Sequence, residues 1–245
     1  MPDPLSLTTP AGRSLAFNRR DGRGPTVVFL PGYMSDMEGS KALALDSWCE
    51  GRGRAFLRFD YGGCGASPGD FEAQSLADWQ GDATAMIDSV DGPVVLVGSS
   101  MGGWIMLLAA LARPERVAGL IGIAAAPDFT DWGFSDADKA TIARDGRLVE
   151  ESPYGDNPYV TTRTFWESGE TLKLLGGEIA IDAPVRLLHG QADPDVPFDI
   201  SLGIAQRLRS ADVQTILVKD GDHRLSRPKD IALLTATLSQ LLEAS

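Results

Sequence analysis

The chain has 245 residues, 43% of them hydrophobic and 23% charged, a balance that fits an ordinary globular protein and excludes a disordered or fibrous class. A formal net charge of −12 and a pI near 4.6 set it against nucleic acid and against an anionic membrane surface, both of which are bound largely through Lys and Arg. Two cysteines cannot build a disulfide framework, no apolar run is long enough to span a membrane, and Met1-Pro2-Asp3-Pro4 reads neither as a secretory signal nor as a transit peptide, so a reducing, cytoplasmic setting is expected.

Taken in chain order, Leu5 to Thr9 and Arg13 to Asn18 predict a hairpin about Pro10-Ala11-Gly12. Thr26 to Leu30, Arg54 to Phe59, Pro93 to Gly98, Val117 to Ala124, Pro184 to His189 and Val213 to Val218 are short apolar runs that predict six buried strands. Between them, Met37 to Cys49, Ala73 to Val90, Met101 to Ala112, Phe198 to Arg209 and Pro228 to Leu242 predict helices, the last with Ser226 and Pro228 as a start signal. Alternating strands and helices imply an α/β class with a mostly parallel sheet of eight strands flanked by helices. One domain over 1–245 is expected. The stretch 128–182 holds no convincing buried strand and is rich in aromatics (Phe129, Trp132, Phe134, Tyr154, Tyr159, Phe165, Trp166). It is too long for bare loop, so it is expected to carry helices of its own and to form a small helical cap over the sheet.

Gly98-Ser99-Ser100-Met101-Gly102 matches G-x-S-x-G between an apolar strand and an apolar helix. That context matters, because the pattern holds a serine on a sharp turn that only small flanking residues allow. Gly65-Ala66-Ser67-Pro68-Gly69 also matches, but it follows turn residues and starts no helix, so Ser67 is expected to be a loop residue. Ser99 is expected to support the turn.

A serine hydroxyl needs an adjacent base, most often histidine. The chain has two. In the strand–Ser–helix arrangement the order is nucleophile, acid, base. His223, between the last strand and the last helix, fits the base, and His189, at the end of a strand, is read as structural. Asp193 and Asp195 both follow that strand. Asp193 is the preferred acid and Asp195 is expected to cap or shape the next helix, with Asp220 and Asp222 as loop residues too near His223 in sequence to reach its ring. The oxyanion that acyl transfer develops calls for backbone N–H donors: Met101, just after the nucleophile, and Tyr33, in the loop Pro31-Gly32-Tyr33-Met34. Trp104, Trp132, Phe165 and Trp166 are candidates to line an acyl pocket, with core packing as the competing role. No cofactor is called for, and two distant histidines and two unpaired cysteines offer no zinc spacing.

This run of motifs resembles the α/β-hydrolase superfamily, and within it the mitochondrial palmitoyl-protein thioesterase, also described as an acyl-glucuronide deacylase, of the α/β-hydrolase-domain group. The matching stretches are Leu30 to Met37 with Lys41-Ala42, Arg58 to Ser67, Val97 to Trp104, Leu187 to Gly190 with Asp193 and Val196-Pro197, and Asp222-His223-Arg224. The resemblance implies the α/β-hydrolase fold, a Ser100–Asp193–His223 triad, and hydrolysis of ester and thioester bonds of small molecules or acylated proteins, S-acylated cysteine included. The start of this sequence shows no mitochondrial leader, which suggests a bacterial-type cytoplasmic relative. The 128–182 stretch matches least well. A non-catalytic hydrolase-fold binding protein, or lactonase, perhydrolase or peptidase chemistry on the same residues, are the alternatives; aspartate-nucleophile enzymes are excluded by the serine.

Overall fold

A computed structural model describes residues 3–151 and 158–243. Eight strands form one sheet: β1 (Leu5–Thr8), β2 (Ser14–Arg20), β3 (Arg23–Leu30), β4 (Arg54–Phe59), β5 (Val94–Ser99), β6 (Val117–Ile123), β9 (Val185–Gly190) and β10 (Val213–Val218). A separate pair, β7 (Arg147–Glu150) and β8 (Tyr159–Thr162), runs antiparallel. The helices are α1 (Ser40–Glu50), α2 (Leu76–Asp88), α3 (Met101–Ala112), α4 (Phe129–Trp132), α5 (Asp136–Asp145), α6 (Arg163–Thr171), α7 (Asp199–Arg207) and α8 (Pro228–Glu243).

The sheet order is β1-β2-β4-β3-β5-β6-β9-β10. Every pairing from β4 to β10 is parallel, and β2 is antiparallel to both neighbours. This is the α/β-hydrolase fold. Side chains alternate along the strands, as a pleat requires. Val28, Leu30, Leu96 and Leu187 pack with α2, α3 and α7 on one face, and Val27, Phe29, Val95, Val97 and Leu188 with α1 and α8 on the other. Helix α3 lies at the centre, with ten consecutive residues buried from Met101 to Ala110, because its sequence is apolar all round.

The chain leaves β3 for β4 on one side and returns to β5 on the other, so the strand order reverses between β3 and β5. A crevice opens at the carboxyl ends of strands at such a point. The loops after β3, β5, β9 and β10 all leave from that end.

Of the boundaries that differ from expectation, two helix starts have clear local causes. Helix α1 starts at Ser40 rather than Met37, because the Met37 N–H is held by Asp60 Oδ1 at 2.7 Å. Helix α2 starts at Leu76 rather than Ala73, because Ser75 and Asp78 form a reciprocal capping box. Phe71–Ala73 is a separate 3₁₀ turn.

Between β6 and β9 lie α4, α5, β7, β8 and α6. The hairpin β7–β8 was not expected. Its strands are four residues each and partly exposed, so they leave no apolar run to read. The segment rests on the sheet's carboxyl end through named contacts. The Tyr33 hydroxyl donates to Val160 O (2.6 Å), Ala77 N–H to Ser168 Oγ (3.0 Å), and Arg147 pairs with Glu72 (3.0 Å). Tyr154, one of its aromatics, lies outside the described residues. Among the described residues, no helix is long and apolar enough to cross a membrane.

Candidate active site

Ser100 sits between the end of β5 and the start of α3 with φ 55° and ψ −120°, a conformation costly for a residue with a side chain. Its surroundings hold it there. Its N–H donates to Ile123 O (2.9 Å) and its carbonyl accepts from Gly103 and Ala126 (2.9 and 3.1 Å). The two motif glycines are steric necessities. A Cβ on Gly98 would lie 2.3 Å from Gly102 O, and one on Gly102 would lie 2.2 Å from Leu30 O. The turn thus lifts the Ser100 side chain to the mouth of the crevice.

His223 reaches it from the loop after β10. Its Nε2 is 3.1 Å from Ser100 Oγ and its Nδ1 is 2.8 Å from Asp193 Oδ2. A carboxylate only accepts, so Nδ1 carries the proton and Nε2 faces the hydroxyl with its lone pair. The loop is held by Asp222 Oδ1, which accepts from Leu225 N–H (2.9 Å), and by Lys41, whose ammonium donates to Arg224 O (2.5 Å). Asp220 is bound instead to Arg227 and Lys229. Burial, with Arg224 nearby, lowers the Lys41 ammonium to about 8.

The Asp193 side chain has no exposed surface. Its Oδ1 accepts from the N–H groups of Asp195 (2.8 Å) and Val196 (2.9 Å), while Oδ2 faces His223 and also lies 3.3 Å from His189 Nε2. Burial alone would raise this carboxyl. Hydrogen bonding from His189 and His223 outweighs it and holds the group well below the ordinary carboxylate range. Asp193 Oδ1 thus shapes the turn that leads into α7, which starts at Asp199 after an N-cap residue, Phe198, that makes no side-chain cap. Asp195, Asp193 and His223 each place one ligand-type atom within 4.8 Å of the others, but both Asp193 oxygens are already occupied by donors.

The remaining candidates divide. Ser67 is buried, donating to Asp60 O (2.6 Å) and accepting from Ala16 N–H (2.8 Å), and belongs to a loop brace. Ser99 is buried beside the nucleophile. Among the described residues, neither the Tyr33 nor the Met101 N–H donates a hydrogen bond, so both donors stand available, one in the loop after β3 and one at the first residue of α3. Cys49 and Cys64 are buried, and burial pushes both thiols up to about 12, which removes them as neutral-pH nucleophiles.

A cavity of about 530 Å³ opens onto Ser100 and His223. Its lining combines the aromatic rings of Tyr33, Phe129, Trp132, Phe134 and Tyr159 with the charged side chains of Asp36, Lys41 and Arg224. Of the four aromatics expected in a pocket, Trp132 lines it. Trp104 does not: it is fully buried, donates to Leu172 O (3.2 Å) and packs edge-on to Phe129. Phe165 is buried between Tyr33, Trp79 and Phe129, and Trp166 donates to Thr130 O (3.0 Å). These three hold the inserted segment together from beneath. Phe129, Phe134 and Tyr159 were read only as aromatics of the inserted segment and not as pocket lining, because nothing in a stretch without clear periodicity tells which ring faces outward, and Lys41 was not singled out as a lining residue.

The sheet order, the strained serine between β5 and α3 and the hydrogen-bonded chain behind it define an α/β-hydrolase. Residues 23–152 match the hydrolase family model described as "Serine aminopeptidase, S33". The human mitochondrial palmitoyl-protein thioesterase ABHD10 is 40% identical over 97% of this chain and 79% of its own length. Among solved structures, mouse α/β-hydrolase domain-containing protein 10 superposes with a TM-score of 0.92 at 38% identity, covering 99% of both chains. A putative hydrolase from Agrobacterium vitis S4 does so with a TM-score of 0.92 at 37% identity, over 99% of this chain and 100% of that one. The chain belongs to the α/β-hydrolase superfamily, in the family of these ABHD10 proteins, and is a hydrolase.

Proposed function

We propose that the chain hydrolyses carboxylic ester or thioester bonds through an acyl-enzyme on Ser100. The observation that carries this reading is the continuous contact from Ser100 Oγ through the His223 ring to Asp193, 3.1 Å and 2.8 Å long. His223 takes the hydroxyl proton as Oγ attacks the carbonyl carbon, then gives that proton to the departing alcohol or thiol. Asp193 keeps the ring in the tautomer that points a lone pair at Ser100 and stabilises the imidazolium. The N–H groups of Tyr33 and Met101 receive the oxyanion, with the start of α3 adding its dipole. A water deprotonated by His223 then releases the acid and restores the serine.

The aromatic rings in the cavity lining suit an acyl chain and the 128–182 segment serves as its cap. The name of the human relative favours long-chain S-acyl groups on protein cysteines as substrates, with small acyl esters as alternatives. A fluorophosphonate probe tests the reading. It is expected to label wild type at Ser100, and Ser100→Ala is expected to lose labelling and to lose p-nitrophenyl ester hydrolysis by on the order of 10⁴-fold or more. A Ser100→Ala protein that is still labelled, or that turns over at the wild-type rate, sinks it.

A further inference from the structure

The second histidine has no part in the scheme above, yet both of its ring nitrogens are held by hydrogen bonds. His189 is the penultimate residue of β9 and is 0% exposed. Its Nε2 lies 2.9 Å from Val196 O, and a carbonyl only accepts, so that nitrogen carries the proton. Its Nδ1, left as the acceptor, is 2.7 Å from the hydroxyl of Ser201 on α7. The tautomer is therefore fixed from both sides. The same Nε2–H lies 3.3 Å from Asp193 Oδ2, the oxygen that faces His223.

We propose that His189 is a positioning residue for Asp193: its Nε2–H, fixed in tautomer by Val196 O and Ser201, is shared with Asp193 Oδ2 and orients that oxygen toward His223. The inference rests on Asp193 being the acid partner of His223. The arrangement has a physical cost and a gain. A donor to Oδ2 draws charge away from the contact with His223, so the carboxylate binds the imidazolium less tightly than it otherwise would. In return, both oxygens of Asp193 are fixed, since the backbone N–H groups of Asp195 and Val196 occupy Oδ1. The carboxylate cannot rotate away while the ring gains and loses its proton.

The test is the acid limb of the pH profile of kcat/KM, which follows the protonation of the base. His189→Phe keeps a ring of similar size and removes both nitrogens. Combining it with Ser201→Ala avoids leaving the hydroxyl without a partner. Asp193 then holds the imidazolium more tightly, and the acid limb is expected to move up by about half a pH unit, with a several-fold fall in the plateau per titrated active site. His189→Gln, which retains an N–H donor, is expected to move the limb back toward wild type. The other charged groups about His223 include Asp195, Asp222 and Arg224, with Lys41 bound to the Arg224 carbonyl, and Asp36, Glu150 and Glu151 line the same cavity. All are unchanged in these variants, as is Tyr159, which faces Asp195 and Arg224 from β8. A merely structural His189 would lower the number of active sites without moving the limb, and an unmoved limb in labelled His189→Phe/Ser201→Ala overturns the inference. The second measurement needs no substitution. With two histidines in the chain, ¹⁵N spectra resolve both rings, and His189 is expected to show a protonated Nε2 and a bare Nδ1 at neutral pH; the opposite tautomer, which could not donate to Asp193, overturns the inference. Failure of the underlying reading looks different: wild type itself would take no fluorophosphonate.

Discussion

A carboxylate with no exposed surface is destabilising unless donors satisfy it, and Asp193 is satisfied on Oδ1 by two backbone N–H groups and on Oδ2 by the His223 ring, with the His189 ring 3.3 Å from the same oxygen. Because those donors favour the charged form, the folded group titrates below its ordinary value of 3.8. The linkage has a definite sign: a depressed carboxyl contributes stability that is complete above the unfolded value and is lost as pH falls toward the folded one. Asp193→Asn is therefore expected to be less stable than wild type at neutral pH in a urea titration, with the gap narrowing below about pH 4. Its kcat is expected to fall by on the order of 10⁴-fold, since an amide NH₂ facing Nδ1 favours the wrong tautomer. A gap that stays constant from pH 7 to pH 3 would contradict this account of Asp193. The identities of Ser100, Asp193 and His223 were legible because the chemistry restricts the residue types and the topology restricts their order. The partner of His189 was not, because four residues of separation across a strand end say nothing about where the intervening turn aims a side chain.

At the scale of elements, the serine is presented by a strand, a turn and a helix that pass one another almost without side chains. Gly102 is packed against the backbone of the loop after β3, where an added Cβ would lie 2.2 Å from Leu30 O and 2.4 Å from Pro31 O. Neither atom belongs to a flexible side chain. Gly102→Ala is expected to separate α3 from that loop, lowering the thermal midpoint by several degrees and disturbing the Tyr33 N–H along with the turn. Thermal melting alongside fluorophosphonate labelling checks both effects, and a variant with wild-type midpoint and labelling rate would refute the steric account. The six parallel-type strands were readable as short apolar runs bounded by turn residues, because both faces of this sheet are buried. The pair β7–β8 was hidden, because a four-residue strand that stays half in solvent carries neither an apolar run nor a clean alternation.

For the whole molecule, the cavity is made where the segment after β6 meets the carboxyl end of the sheet, so pocket lining and core share the same aromatic cluster. Two tryptophans separate the roles. Trp104 is fully buried on α3, and Trp132 reaches the cavity. Trp104→Ala is expected to cost about 3–5 kcal/mol of stability, as a large side chain removed from a packed core. Trp132→Ala is expected to leave stability within about 1 kcal/mol and to change the preference among p-nitrophenyl esters of increasing acyl length instead. A denaturant titration and an ester series measured on both variants check this, and equal stability losses would contradict it. The sequence could not assign these two roles. Helix α3 is apolar all round, so its pattern does not reveal which residues lie beneath the inserted segment and which neighbour the opening.

The central claim is covalent, and rapid quenching of an ester or thioester turnover followed by mass analysis of the peptides tests it most directly. The account predicts the mass of one acyl group on the peptide that carries Ser100, formed faster than steady-state turnover and absent in Ser100→Ala. Full turnover with that peptide unmodified at every quench time, and undiminished in Ser100→Ala, would contradict it.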